Sequence, residues 1–232
     1  MAERKTEFRP SGDRSILATY GIEVDPEINE KVRQMTALLA DHPHPGILAA
    51  VGSYCTLLVH YDPQQMGFAE LTGLLLNLEQ TLGQAAVPEA RTVDIPVCYG
   101  GGFGPDIGFV AERNSMSTEE VISRHSSADY RIYAIGFAPG FCYLGGLDPR
   151  LHTPRLATPR RKVVAGSVGI AGSQTGVYPL ASPGGWQLIG RTPLCLFAPG
   201  RQQPLLYGPG DTIHFRPITI EEFQHLHALD NQ

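Results

Sequence analysis

The side chains best placed to do chemistry are arginines set behind prolines. Pro154-Arg155 and Pro159-Arg160-Arg161-Lys162 put four fixed positive charges around two rigid turns. A guanidinium carried this way can be aimed at a carboxylate or a phosphate with little loss of entropy. Arg155 and Arg160, each directly after Pro, are the strongest candidates, with Arg131 and Arg191 behind them. The alternative for any one of them is a solvated loop charge or an ion pair of little energetic weight.

Two nearby runs supply neutral recognition groups. Ser173-Gln174-Thr175-Gly176-Val177-Tyr178 and Ser182-Pro183-Gly184-Gly185-Trp186 set amide, hydroxyl and aromatic groups beside glycines, the inventory of a small polar-ligand pocket. Gln174, Thr175 and Tyr178, with Ser167 upstream and Trp186 downstream, are the candidate ligand contacts. Core packing at a strand start is the competing reading for Trp186.

His125 is the candidate general acid or base, because imidazole titrates near neutrality. It also sits at the end of a short helix opened by a capping box, Ser117-Thr118-Glu119-Glu120, where a histidine can simply serve the terminal carbonyls. No G-x-S-x-G elbow occurs, and no cysteine has a His/Asn signature beside it, so an autonomous nucleophilic hydrolase is poorly supported. YGGGFGPDIG lacks the third glycine of the dinucleotide fingerprint, and no G-x-x-x-x-G-K-[ST] is found, so that run reads as a wide turn.

Composition narrows the field. The chain has 232 residues and a formal charge of −5, which argues against a general nucleic-acid binder. Its four cysteines lie far apart without metal-ligand spacing, which reads as reduced thiols and no metal site. The polar N-terminus lacks the apolar core of a signal peptide, and no run reaches the roughly 18 apolar residues of a membrane span. A soluble, cytoplasmic protein with no membrane or nucleic-acid partner is expected.

The elements that must position these groups follow from periodicity. Ile16–Tyr20 reads as a strand, and Asp25-Pro26 opens a helix with Ile28, Val32, Met35, Leu38 and Leu39 on one face. Gly46–Val51 and Thr56–Tyr61 read as strands, Phe68 to Leu82 as a second helix, and Arg91–Cys98 as a closing strand. That order predicts an α+β, ferredoxin-like (split βαβ) domain over 1–92. Beyond it, Tyr130–Phe137, Val163–Ile170, Trp186–Ile189, Leu194–Ala198 and Thr212–Phe215 predict a mainly-β barrel or sandwich over 93–232, ending in a helix capped by Thr219 and Glu222.

Taken together, GFAPGFCYLGGL, Pro154-Arg155, Pro159-Arg160, AGSVGIAGSQTGVYPLASPGGWQLIGRTP and GPGDTIHF closely resemble the family of the B-type subunits of bacterial 5-oxoprolinase. That family also holds Kip-type sporulation kinase inhibitors and proteins labelled as the first subunit of allophanate hydrolase. The resemblance implies that the second domain is a cyclophilin-like β-barrel. It further implies a polypeptide inactive alone, working with a homologous C-type subunit and a separate A-type subunit of the same complex to open 5-oxoproline to L-glutamate. ATP is then a co-substrate, with Mg, and no cofactor is tightly bound. A regulator of a sensor histidine kinase, or a component of a urea carboxylase or allophanate hydrolase, are the other functions the same motifs imply. Val163-Val164-Ala165 and Cys142 depart from the family pattern, where Pro is common.

Overall fold

In the computed structural model, residues 5–83 and 89–230 are described. The chain forms two compact units, Met1–Glu89 and Ala90–Gln232.

The first unit is a four-stranded antiparallel sheet with two helices. β1 (Glu7–Pro10), β2 (Ser15–Thr19), β3 (Ile47–Gly52) and β4 (Thr56–Tyr61) pair in the order β1-β2-β4-β3. Alternation in β4 sends Leu57, Val59 and Tyr61 inward, and α1 (Pro26–Asp41) covers them with Val32, Met35 and Leu39. Leu71 and Leu75 of α2 (Phe68–Glu79) complete this core. As the sequence predicts, Asp25 is the N-cap of α1, its Oδ1 accepting from the amides of Glu27 at 2.8 Å and Ile28 at 3.0 Å.

The closing strand expected at Arg91–Cys98 is not part of this sheet. It forms β5 (Thr92–Tyr99) of the second unit, and the edge beside β2 is filled instead by β1, a strand that periodicity does not reveal. The reason is burial: Ile95, Pro96, Val97 and Cys98 are all buried in succession, which needs a strand covered on both faces. The ferredoxin-like plan is corrected in that respect.

In the second unit, β6 (Asp129–Ile135), β7 (Cys142–Gly145), β9 (Ser167–Ala171), β10 (Gln174–Val177), β12 (Gln187–Arg191) and β13 (Thr212–Pro217) join β5 in one mixed sheet. Its order is β10-β9-β12-β5-β13-β6-β7, and the end strands β10 and β7 pack against each other, nearly closing a barrel. β5 and β13 run parallel; the other pairings of this sheet are antiparallel. A separate ribbon pairs β8 (Arg160–Val163) with β11 (Ser182–Gly184). The helices α3 (Ile107–Arg113), α4 (Thr118–Ser126) and α5 (Ile220–Asp230) are short, and both expected capping hydroxyls act: Ser117 accepts from the Glu120 amide, and Thr219 from the Glu222 amide.

Two strand expectations fail here. Leu194–Ala198, hemmed by Pro193 and Pro199, forms only an isolated bridge between Phe197 and Leu205. The single strand expected over Val163–Ile170 is broken into β8 and β9 at Gly166, whose φ of +82° turns the chain. All four cysteines are unpaired; Cys98 and Cys142 are buried and Cys195 is exposed. No helix of the described residues is long and apolar enough to cross a membrane.

Candidate functional site

The second unit holds a cavity of about 500 Å³ where loops of the sheet meet the β8–β11 ribbon. Its walls are aromatic. Phe141, which enters β7, meets Tyr143, Tyr178 and Trp186 edge-to-face with ring centroids 5.2, 5.6 and 5.5 Å apart. Edge-to-face contact matches the positive rim of one ring to the negative face of another and locks their directions. Trp186 and Tyr178 are thus held by packing and still border open space.

Small residues make this packing possible. A Cβ on Gly184 would stand 2.5 Å from the Tyr178 hydroxyl, and one on Gly176 would stand 3.2 Å from the Trp186 ring. The SPGGW and TGVY glycines therefore make room for the two rings.

Arg155 lines the cavity, is exposed, and forms no ion pair with any described residue. Its charge still reaches the wall: burial pushes the Tyr178 hydroxyl up, while the Trp186 backbone amide and the charges of Arg155 and Arg160 pull it back. Among the described residues, no acidic, imidazole or thiol side chain lines the cavity. Such a place can bind a compact, anionic molecule, and the phenols of Tyr143 and Tyr178 are the proton-bearing groups beside Arg155 on its described lining.

Of the residues singled out in the sequence, Arg155, Tyr178 and Trp186 come together here. Arg160 does not line the cavity. Its Nη2 donates to both carboxylate oxygens of Asp106, and its Nη1 donates to the Trp186 carbonyl at 3.1 Å. Asp106 in turn accepts from the Leu188 amide at 2.6 Å, so Arg160 fixes the backbone that carries Trp186. Arg191 is also structural, donating to the Ala165 carbonyl and lying over the Phe223 ring. Ser167 is buried, its carbonyl accepting from the Tyr178 amide at 2.8 Å, and Gln174 is half-buried at the start of β10.

His125 is fully buried and also away from the cavity, stacked on Phe215 with centroids 4.7 Å apart. Its Nε2 is 2.8 Å from the Thr175 hydroxyl, and its Nδ1 is 2.8 Å from the Tyr99 hydroxyl. Thr175 spends its proton on the Gly169 carbonyl, so it must accept from Nε2–H, and Nδ1 must accept from Tyr99. That assigns one neutral tautomer. Burial holds the imidazole down at about 3, so it carries no charge near neutrality.

Sequence reasoning missed Phe137, Phe141 and Tyr143 as functional candidates. Phe137 has a detectable signal only in three dimensions: φ of +65°, rare for a residue with a side chain. The glycine-rich run after β5 is a turn, as read from its residues. Gly100 donates its amide to the Ile189 carbonyl, and Asp106 then leads into α3.

Against known proteins, residues 6–207 match the model of the carboxyltransferase domain, subdomain C and D. The chain belongs to this family. The carboxyltransferase match takes in every residue that lines the cavity. One relative is the B-type subunit of 5-oxoprolinase from Bacillus subtilis, 41% identical over 91% of this chain and 92% of that protein. A more distant relative is a urea amidolyase of Lachancea kluyveri, 26% identical over 94% of this chain but only 14% of that protein. Among solved structures, TTHA0988 superposes with a TM-score of 0.79 at 38% identity over 89% of this chain; the chain spans 40% of its length.

Proposed function

We propose that this chain is the B-type subunit of a multi-subunit, ATP-dependent 5-oxoprolinase that converts 5-oxoproline to L-glutamate. The observation that carries this is the 41% identity to a B-type 5-oxoprolinase subunit across 92% of that protein's length. The far lower identity to the urea amidolyase, of which this chain matches a small part, favours the 5-oxoprolinase reading over a urea carboxylase-type role.

The site is consistent with a polypeptide that cannot act alone. A five-membered lactam is a poor electrophile; phosphorylation of its carbonyl oxygen makes the carbon attackable and provides a leaving group. That chemistry needs a nucleotide, a metal and proton transfer. Among the described residues the cavity lining carries no acidic side chain to hold Mg, so in this reading ATP, with Mg, belongs to a partner. The partners are the homologous C-type subunit and the A-type subunit, the compartment is the cytoplasm, and the barrel is of the cyclophilin-like kind.

Within this reading Arg155 holds an anionic group of the substrate, Tyr178 and Trp186 form its wall, and Arg160 positions that wall. His125 with Thr175 sets the barrel interior, and Ser167 and Gln174 shape the β9–β10 side. The test is reconstitution: glutamate and ADP formation from 5-oxoproline with all three polypeptides, each omitted in turn. Loss of activity on omitting this chain is expected; undiminished activity without it defeats the reading.

A further inference from the structure

The geometry points to a specific occupant of the aromatic cavity, and we propose that it is a compact ring bearing a carboxylate and a flat amide edge, of the five-membered lactam acid class. This deepens the 5-oxoprolinase reading above and rests on it for the choice of ring.

Three features converge. The first is charge: among the described lining residues Arg155 is the one cation, and no described residue neutralises it, so an anion is the complementary ligand. A neutral amide would leave that charge unanswered, and a cation would be repelled. The second is shape. Trp186 and Tyr178 are only 6% and 2% exposed and still border the cavity, giving rigid flat walls suited to a ring rather than to a flexible chain.

The third is strain at the rim. Phe137 adopts left-handed backbone, the Ala138 amide donating to the Gly136 carbonyl at 2.7 Å across it, and the residue is 70% exposed. A tight turn with positive φ suits glycine, and an exposed phenyl ring gains little from folding. The ring nevertheless leans edge-on toward Phe141 with centroids 5.5 Å apart, at the edge of the same cavity. Strain of this kind collects at ligand clamps. Phe137 is thereby assigned to cover the bound ring, with Arg155 on its carboxylate.

The chain carries its own reporter, because Trp186 is its single tryptophan. Titration of the isolated full-length chain with 5-oxoproline should change Trp186 emission saturably. 2-Pyrrolidinone, the same ring without the carboxylate, should bind at least tenfold more weakly. Arg155→Ala should weaken 5-oxoproline binding at least tenfold, with partial recovery in Arg155→Lys. Phe137→Gly should leave the melting temperature equal or higher and still weaken binding several-fold, a pairing that a purely structural residue would not give. In the reconstituted complex, Arg155→Ala should raise KM for 5-oxoproline by a larger factor than it lowers kcat.

The proposal is overturned if 2-pyrrolidinone binds as tightly as 5-oxoproline. It also falls if Arg155→Ala changes neither the affinity of the chain nor the KM of the complex. An active complex with an unmoved KM would sink the site and spare the 5-oxoprolinase reading. Arg155-dependent binding beside a complex that makes no glutamate would do the reverse.

Discussion

Arg160 holds both carboxylate oxygens of Asp106, at 2.6 and 2.8 Å, across a separation of 54 residues. One clamp thus ties the turn before α3 to the ribbon that enters β12, and the third bond from Arg160 lands on the Trp186 carbonyl. The pair is partly shielded, with side-chain exposures of 28% and 14%.

Arg160→Ala is expected to destabilise the second unit by about 2 kcal/mol, the loss of a charge-assisted bidentate bond discounted for partial exposure. Arg160→Lys should recover less than half, because an ammonium that reaches Asp106 leaves no second nitrogen for the Trp186 carbonyl. Urea unfolding followed by Trp186 emission reads both, and equal stability of wild type and Arg160→Ala would contradict the clamp.

The pH dependence of stability should carry the mark of His125. Its pKa lies near 6.5 when unfolded and at about 3 when folded, so between those values the unfolded chain binds a proton that the folded chain refuses. Its contribution is therefore complete above pH 6.5 and falls by about 1.4 kcal/mol per pH unit as pH drops toward 3. His125→Gln should start lower at pH 7 and show a shallower decline to pH 5. The shifted carboxylates Asp62, Glu119, Asp211 and Glu221 are held below their ordinary values, so their losses come at lower pH and leave this window to the histidine.

The tautomer of His125 is itself a prediction. Nitrogen-detected NMR should show the proton on Nε2 throughout pH 5–8, bonded to Thr175, with Nδ1 unprotonated beside Tyr99. A resonance that titrates in this range would refute the buried arrangement.

Neighbouring glycines after β5 should respond very differently to the same substitution. A Cβ on Gly104 would overlap the Ile189 carbonyl, whereas one on Gly102 meets nothing within 4 Å. Gly104→Ala should cost about 3 kcal/mol or more and Gly102→Ala less than about 1 kcal/mol, measured by thermal or urea unfolding.

Asp25→Ala should remove about 1 kcal/mol from the first unit, because two amides of α1 lose their acceptor. Hydrogen exchange at Glu27 and Ile28 would quicken, while Asp25→Asn should keep most of the protection.

The contrast among these residues explains what can be read from sequence. Asp25, Ser117 and Thr219 act within three residues of themselves, so their caps are legible. Arg155, behind Pro154, is legible as a candidate because its neighbours announce a stiff turn. The partner of Arg160 is not, since Asp106 sits 54 residues away and its own surroundings read as a turn. His125 looks from its neighbours like a helix-end residue; only the packing of α4 over β13 buries it against Phe215. The aromatic walls are hidden too, as β7 is four residues long and its phenylalanine and tyrosine neighbours gain meaning from rings 35 and more residues downstream. Arg91–Cys98 is recognisable as a strand but not assignable to its sheet, because pattern reports burial and not the identity of the neighbour.

The pairing of β5 with β13 has a consequence for biosynthesis. Asp211, just before β13, anchors Arg91 across 120 residues, and β5 lies in the middle of its sheet between β12 and β13. A nascent chain emerging from the ribosome would expose the apolar run Ile95–Cys98 until β13 had been made, about 115 residues later. Meanwhile the first ninety residues could already close their own sheet. Truncations that remove β13 should therefore yield a folded first unit trailing a sticky, unclosed remainder, the kind of product that chaperones hold and proteases clear.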